Sequence, residues 1–342
     1  MSTSDLTAAL ADFFSATWPP DAAAGECGPL SESPWNSFRG LDLHLVGIDE
    51  AAGGSGGTFA DLMALAELAG YHAVDVPVVE ATTAAWLLER AGLPIDGAAS
   101  HSIPIGPTNL VVGDDGTVSG TLIDVPWGAS VDLVVAVDDD GQTVLVASSD
   151  ATTRPGVDLA GQPRDTLVLE DVRPRGVATG ASAEQLRHRA AALRIAQTAG
   201  ALQATADLTR RYAGERVQFG RPIGAFQAVQ AHVVLLEQMA VMTTGLADRL
   251  AIEPELHPFD VVAAQVVSAE NAVEACRAAH QAHGAIGMTR EYRLHTLTRR
   301  LHTWSGDFGE TIDLSARLGA TASQAPSFAQ MILDDTRPEL AS

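Results

Sequence analysis

The sequence predicts an α+β chain, mainly α, with a small β domain set between two helical segments. Three observations carry this: apolar residues recur at helical spacing up to about residue 100, alternate between about 101 and 180, and return to helical spacing over 181–342. In the first segment Leu6, Leu10, Phe13 and Phe14, then Leu62, Leu65, Leu68 and Ala69, mark apolar helix faces. The second of these helices has a start signal, Thr58 followed three residues later by Asp61. Between them GIDEAAGGSGG, Gly47 to Gly57, is glycine-rich. It lacks the lysine of a P-loop and the preceding strand of a dinucleotide fold, so it reads as a plain loop rather than a phosphate cradle.

In the middle segment VSGTLIDVP, VDLVVAV, TVLVASS and DTLVLEDV alternate as half-buried strands do. The turn DDDGQ between the second and third of these runs is a hairpin signal. From about Ser182 four or five helices of bundle length follow, with breaks near Gly214 to Pro222, Glu253 to Pro258 and Gly284 to Gly287. No internal repeat is present.

A chain of 342 residues, 46% hydrophobic, has room for two or three compact units and is neither disordered nor fibrous. Its net charge of −22 argues against general nucleic-acid binding, which needs a basic face against phosphates. The charge is uneven: residues 1–150 hold 22 acids and two cations, Arg39 and Arg90, whereas residues 151–342 hold 21 acids and 19 cations. Anionic ligands are therefore expected at the second half. All 21 cations are arginine, which reads as a compositional bias. No apolar run is long enough to span a membrane and the first residues carry no basic leader, so a soluble cytoplasmic protein is expected. Cys27 and Cys276 lie far apart and read as reduced thiols. His280, His283, His295 and His302 have no carboxylate or cysteine at metal spacing, so they read as helix-surface residues and no metal is expected.

Two stretches of the C-terminal half, RYAGERVQFGRPIGAFQAVQ and QAHGAIGMTREYRLHTLTRR, carry Arg216, Phe219, Gly220, Pro222, Ile223, Phe226 and Gln227, then Gln281, Gly284 and Gly287. In this order they resemble the acyl-CoA dehydrogenase family, flavoproteins that oxidise the α,β bond of acyl-CoA thioesters. LVGIDEAAGGSGGTFADLMALAELAGYHAVDVPVVEA looks like that family's first helical domain. The resemblance implies FAD as cofactor, an acyl-CoA substrate and electron-transfer flavoprotein as acceptor. It also implies that Arg216, Val217, Gln218, Phe219, Phe226, Gln227, Gln281 and Gly284 line a site for the ADP half of a flavin shared across a subunit interface. A pyrophosphate suits one guanidinium, amide donors and glycine backbone. The plainer readings are a surface cation for Arg216 and a solvated or capping side chain for Gln227. In the basic island from Thr289 to His302, Arg290, Arg293, Arg299 and Arg300 face either phosphates and partner acids or the acidic bulk of their own chain.

The chain departs from the family pattern where chemistry is done. The resemblance places the usual glutamate base at Phe308 and the alternative base at Ala190, so neither is present. Asp307 and Glu310 flank the first place, as solvated or capping carboxylates or as a relocated base. In the β domain only Val131 and Asp132 match the flavin-contacting pattern, and Trp127 reads as core or interface rather than flavin-facing. The family includes heteromeric α2β2 enzymes of actinobacterial steroid degradation, and the chain looks like their short partner. The leading expectation is a subunit that completes the FAD site of a catalytic acyl-CoA dehydrogenase subunit in a heterotetramer. The alternatives are a self-sufficient homotetramer using Asp307 or Glu310, and a flavin-free scaffold.

Overall fold

A computed structural model describes residues 3–19, 28–253, 255–324, 327 and 338–340. Cys27 lies outside the described residues. The order is helices, strands, helices, as alternation and helical spacing predict. The helices α1 (Thr3–Thr17), α2 (Glu32–Arg39), α3 (Phe59–Tyr71) and α4 (Val78–Arg90) come first. Eight strands follow: β1 (His101–Ser102), β2 (Thr108–Val112), β3 (Val118–Pro126), β4 (Leu133–Val137), β5 (Gln142–Ala147), β6 (Thr152–Arg154), β7 (Arg164–Val172) and β8 (Gly176–Thr179). Then come α5 (Ala183–Glu215), a small hairpin of β9 (Val217–Gln218) and β10 (Arg221–Pro222), α6 (Gln227–Ala251), α7 (Pro258–His283), α8 (Leu294–Trp304) and α9 (Thr311–Gln324).

The chain divides into two compact units, one of residues 3–18, 28–65 and 74–190 and one built chiefly of residues 66–73 and 191–324. Two of the boundaries, after Leu65 and after Ala190, fall inside helices α3 and α5, and the one after Ala73 falls between α3 and α4.

In the first unit the strands form two sheets, β1-β4-β5-β8 and β2-β3-β7-β6. Only the β1–β4 pairing is parallel among the described pairings of these sheets. Leu110, Leu122 and Leu167 of one sheet and Val134, Val144 and Val146 of the other belong to a single apolar core, so the sheets bury their alternating faces against each other. The DDDGQ turn closes β4 onto β5 with Val137 opposite Thr143. The Asp138 carboxylate there accepts the backbone N–H of Asp140 and of Gln142, which fixes the turn. Trp127 is in this core, 4% exposed.

The Thr58 start signal is a reciprocal cap. Thr58 Oγ1 accepts the Asp61 N–H at 3.2 Å while the Asp61 carboxylate accepts the Thr58 N–H at 2.8 Å. A second capping box, Ser182 with Gln185, starts α5. The Gly47–Gly57 stretch is a loop closed by an Ile48 to Gly56 bridge.

The second unit is a helical bundle around Leu202, Leu236, Ala272, Ala275, Ala279, Leu297 and Leu301. Small residues let its elements approach closely: a methyl on Gly200 would stand 1.8 Å from the Glu67 carbonyl oxygen. Cys276 is buried there and burial pushes its thiol up to about 12, so it is a packing residue. Among the described residues no helix is long and apolar enough to cross a membrane, and no group of three or more metal-ligating side chains is found.

Candidate functional site

The interruption after α5 is a tight two-residue hairpin. Gln218 pairs with Arg221 and Val217 with Pro222, leaving Phe219 at φ 51° and Gly220 at φ 77° as the two turn residues. Positive φ at both is what a type I′ turn requires, and the second of them is glycine as that turn favours. The Arg216 carbonyl accepts the Ile223 N–H at 2.8 Å, which ties the hairpin base to the end of α5. Phe219 is 92% exposed, with its ring edge-on to Phe226 at 5.9 Å, and the Arg221 guanidinium lies 4.3 Å from the Phe226 centroid. Arg216, Val217, Gln218 and Gln227 are all exposed. Among the described residues the Arg216 guanidinium has no ion-pair or hydrogen-bond partner.

The second stretch ends α7. Gly284 terminates the helix at φ 63° and ψ −142°, a backbone region open to glycine, and nothing lies within 4 Å of where its Cβ would be. Gln281 and Gly284 are exposed. His283, between them and buried, stacks on Tyr212 with ring centroids 4.6 Å apart and planes at 20°. Tyr292 packs against both rings, at 5.7 Å from Tyr212 and 5.0 Å from His283. The Tyr212 hydroxyl donates to the His283 carbonyl at 3.4 Å. Because Arg216 is one turn beyond Tyr212, this cluster joins the arginine hairpin to the Gly284 turn across some seventy residues of sequence.

His283 therefore corrects the expectation of a surface histidine. Burial holds its imidazole below the ordinary value, as it does for His280, so both are neutral near pH 7. Burial likewise raises the Tyr292 phenol to about 12. The basic island is also partly turned inward. Arg293 donates to the His72 carbonyl at 3.0 Å and Arg300 is buried.

The two positions that the resemblance assigns to the base are filled. Ala190 is fully buried, and Phe308 is buried at φ 64°. Asp307 is not solvated, as one of its expected readings had it. Its carboxylate meets Arg194 Nε at 3.0 Å with both side chains 6% exposed, and its carbonyl accepts from Gln265 Nε2 at 2.9 Å. The Arg194 guanidinium also donates to Gln197 Oε1 and lies 5.4 Å from the Trp304 centroid and 5.8 Å from that of Phe308. The cleft beside this pair, lined by Thr198, Gln265, Ser268 and Ser305, has room for about one water. Glu310 is exposed and its backbone carbonyl starts α9.

In the β domain the matching aspartate is structural. The Asp132 carboxylate accepts the Ser100 N–H at 2.8 Å and the Ser100 hydroxyl at 2.7 Å. Trp127 is core, so it is no flavin platform. The residues thus suit one half of a flavin dinucleotide: a free guanidinium and an open glycine turn for a pyrophosphate, with amide donors beside them.

Comparison with known proteins agrees with this layout. Residues 180–305 match the acyl-CoA dehydrogenase C-terminal domain. The chain is 30% identical over 264 residues to the acyl-CoA dehydrogenase IpdE2 of Mycobacterium tuberculosis, covering 75% of each protein. It is 31% identical over 296 residues to the acyl-CoA dehydrogenase FadE34 of the same organism, covering 80% of this chain and spanning only 39% of that protein's length. Its fold matches a chain of the ChsE4-ChsE5 complex from M. tuberculosis with a TM-score of 0.82 at 21% identity, over 95% of this chain and 98% of that one. With a relative of this identity covered over most of its length, and the same fold end to end, the chain belongs to the acyl-CoA dehydrogenase family.

Proposed function

We propose that the chain is a base-less subunit of a flavin-dependent acyl-CoA dehydrogenase, contributing the ADP half of a FAD site to a catalytic partner subunit. The observation that carries the reading is a contrast within the second unit. The Arg216 hairpin and the Gly284 turn stand exposed, the Arg216 guanidinium having no partner among the described residues, whereas the place the resemblance gives the base is packed shut around Arg194 and Asp307. FAD supplies hydride-acceptor chemistry when bound. On this side Arg216 would hold the pyrophosphate, beside the open Gly284 backbone, with Gln218, Gln227 and Gln281 as amide donors. The stack of Tyr212, His283 and Tyr292 orients the two motifs.

Removal of an α-proton from an acyl-CoA needs a carboxylate within hydrogen-bond reach of it. Asp307 is held by Arg194 in a cleft of about one water's volume, so no acyl chain reaches it. The proposal therefore assigns the base, the isoalloxazine cradle and the electron-transfer contacts to the partner. That ChsE4 and ChsE5 form a complex within the same fold supports a two-protein assembly.

Co-expression with a catalytic acyl-CoA dehydrogenase subunit tests this. The complex is expected to be yellow and to dehydrogenate acyl-CoA, and the chain alone to hold little flavin and turn nothing over. Stoichiometric FAD with turnover in the isolated chain overturns the reading in favour of a self-sufficient homotetramer. A colourless, stable complex overturns it in favour of a scaffold.

A further inference from the structure

The first unit holds a cation that the flavin reading does not use. Arg189, on α5, has its guanidinium 4.8 Å from the Phe59 centroid and 4.9 Å from the Trp86 centroid. A side chain on Gly47, at the start of the glycine-rich loop, would stand 3.9 Å from its Nη2. Leu62 borders the same point. Arg189 Nε is buried and has no hydrogen-bond partner.

The nearest charges are Glu89, which favours the guanidinium, and Arg90, which opposes it. Glu89 is already engaged, since its Oε1 accepts the Asp49 N–H at 2.8 Å. Among the described residues no carboxylate lies within ion-pair distance of Arg189. Burial pulls Arg189 down to about 10, which still leaves it charged at neutral pH. Charges removed from water are as a rule paired, and this one is flanked only by rings. Phe59, Trp86, Gly47 and Arg189 are each partly exposed, so the rim of the cluster reaches solvent while Arg189 Nε does not.

We infer that Arg189, Phe59, Trp86 and Gly47 form a binding site for a carboxylate carried on an apolar body. The guanidinium fork matches a planar carboxylate through two N–H groups. The partly exposed rings of Phe59 and Trp86 supply apolar cover for the rest of the ligand, and the absence of a side chain at Gly47 leaves room beside Nη2. The charge of Glu89, which already acts on the guanidinium, weighs more heavily against a dianion such as phosphate than against a monoanion. The site is built from the first unit alone and stands whether or not the flavin reading holds.

Isothermal titration of the purified full chain with benzoate tests it, with benzamide as the uncharged isostere and inorganic phosphate as the dianion. Saturable binding of one benzoate per chain is expected, with no binding of benzamide and weaker binding of phosphate. Arg189→Gln should weaken benzoate at least tenfold, and Arg189→Lys should also weaken it because an ammonium lacks the fork. Circular dichroism melts establish that each variant is folded, and the wild-type titrations decide the matter if one is not. Absence of saturable benzoate binding, equal binding of benzamide, tighter binding of phosphate, or unchanged benzoate affinity in a folded Arg189→Gln overturns the inference.

Discussion

In Asp307→Ala the Arg194 guanidinium keeps its charge and loses the carboxylate that meets it at 3.0 Å, with only 6% of either side chain exposed. What remains is Gln197 and the rings of Trp304 and Phe308. Removing one partner of a buried ion pair costs roughly 3–5 kcal/mol, because the other charge is left uncompensated. At roughly 2–4 °C per kcal/mol for a unit of 150–250 residues, Tm falls by about 6–20 °C. Replacing both partners with apolar side chains of similar size, Arg194→Met with Asp307→Leu, removes the stranded charge and should recover most of the loss. Thermal melts by circular dichroism of the wild type, both single variants and the double variant give the coupling directly. A solvated carboxylate would change stability by no more than about 0.5 kcal/mol. An Asp307→Ala melt within about 2 °C of wild type, or a double variant no more stable than the singles, refutes the buried-pair account.

Arg216→Gln should leave Tm unchanged, since an exposed cation without partners contributes under about 0.5 kcal/mol. In the complex with a catalytic subunit it should lower flavin affinity roughly tenfold or more, the worth of one charge-assisted contact, read as the absorbance at the flavin maximum retained after dialysis. Thr58→Ala removes the α3 cap and should cost about 1 kcal/mol by denaturant melt, with Thr58→Ser restoring most of it. His101 is buried with its imidazole lowered to about 4, first by burial and then by nearby His44. Its unfolded form takes a proton near 6.5 while the folded form resists until about 4, so stability is full above pH 6.5 and falls as pH drops toward 4. The contribution is on the order of 3 kcal/mol, and His101→Gln should flatten that part of the pH–stability curve.

Much of the fold was legible because local chemistry sets it. The Asp-Gly turn, the glycine and proline breaks and the Thr58 box each act within a few residues, and each element they bound appears in place. The short strands β1, β2, β6 and β8 and the helix α2 were not legible, since two to five residues give too little periodicity and α2 has only Trp35 and Phe38 buried. At the site, the break at Arg216 was legible from its residue types. His283 was not, because a helical histidine reads as exposed until Tyr212, some seventy positions earlier, is found stacked on it. Nor was the pairing of Arg194 with Asp307 or the setting of Arg189 between Phe59 and Trp86, which depend on contacts that no local spacing records.

If the chain is the base-less subunit proposed above, restoring a base takes more than one residue. Phe308→Glu would return a carboxylate to the family's position, but into a buried site beside Asp307 and under the Arg194 guanidinium that Asp307 already neutralises. Two carboxylates would then share one cation in a low-dielectric site, where their like charges repel. The cleft would also remain about one water in size, too small for an acyl chain. Phe308→Glu alone should therefore yield a destabilised chain that removes no α-proton. An active base needs the Arg194–Asp307 pair dismantled and the Trp304 side opened at the same time. Dehydrogenation by purified Phe308→Glu supplied with FAD and an acyl-CoA, followed as bleaching of the flavin band, would show that the pair is no obstacle.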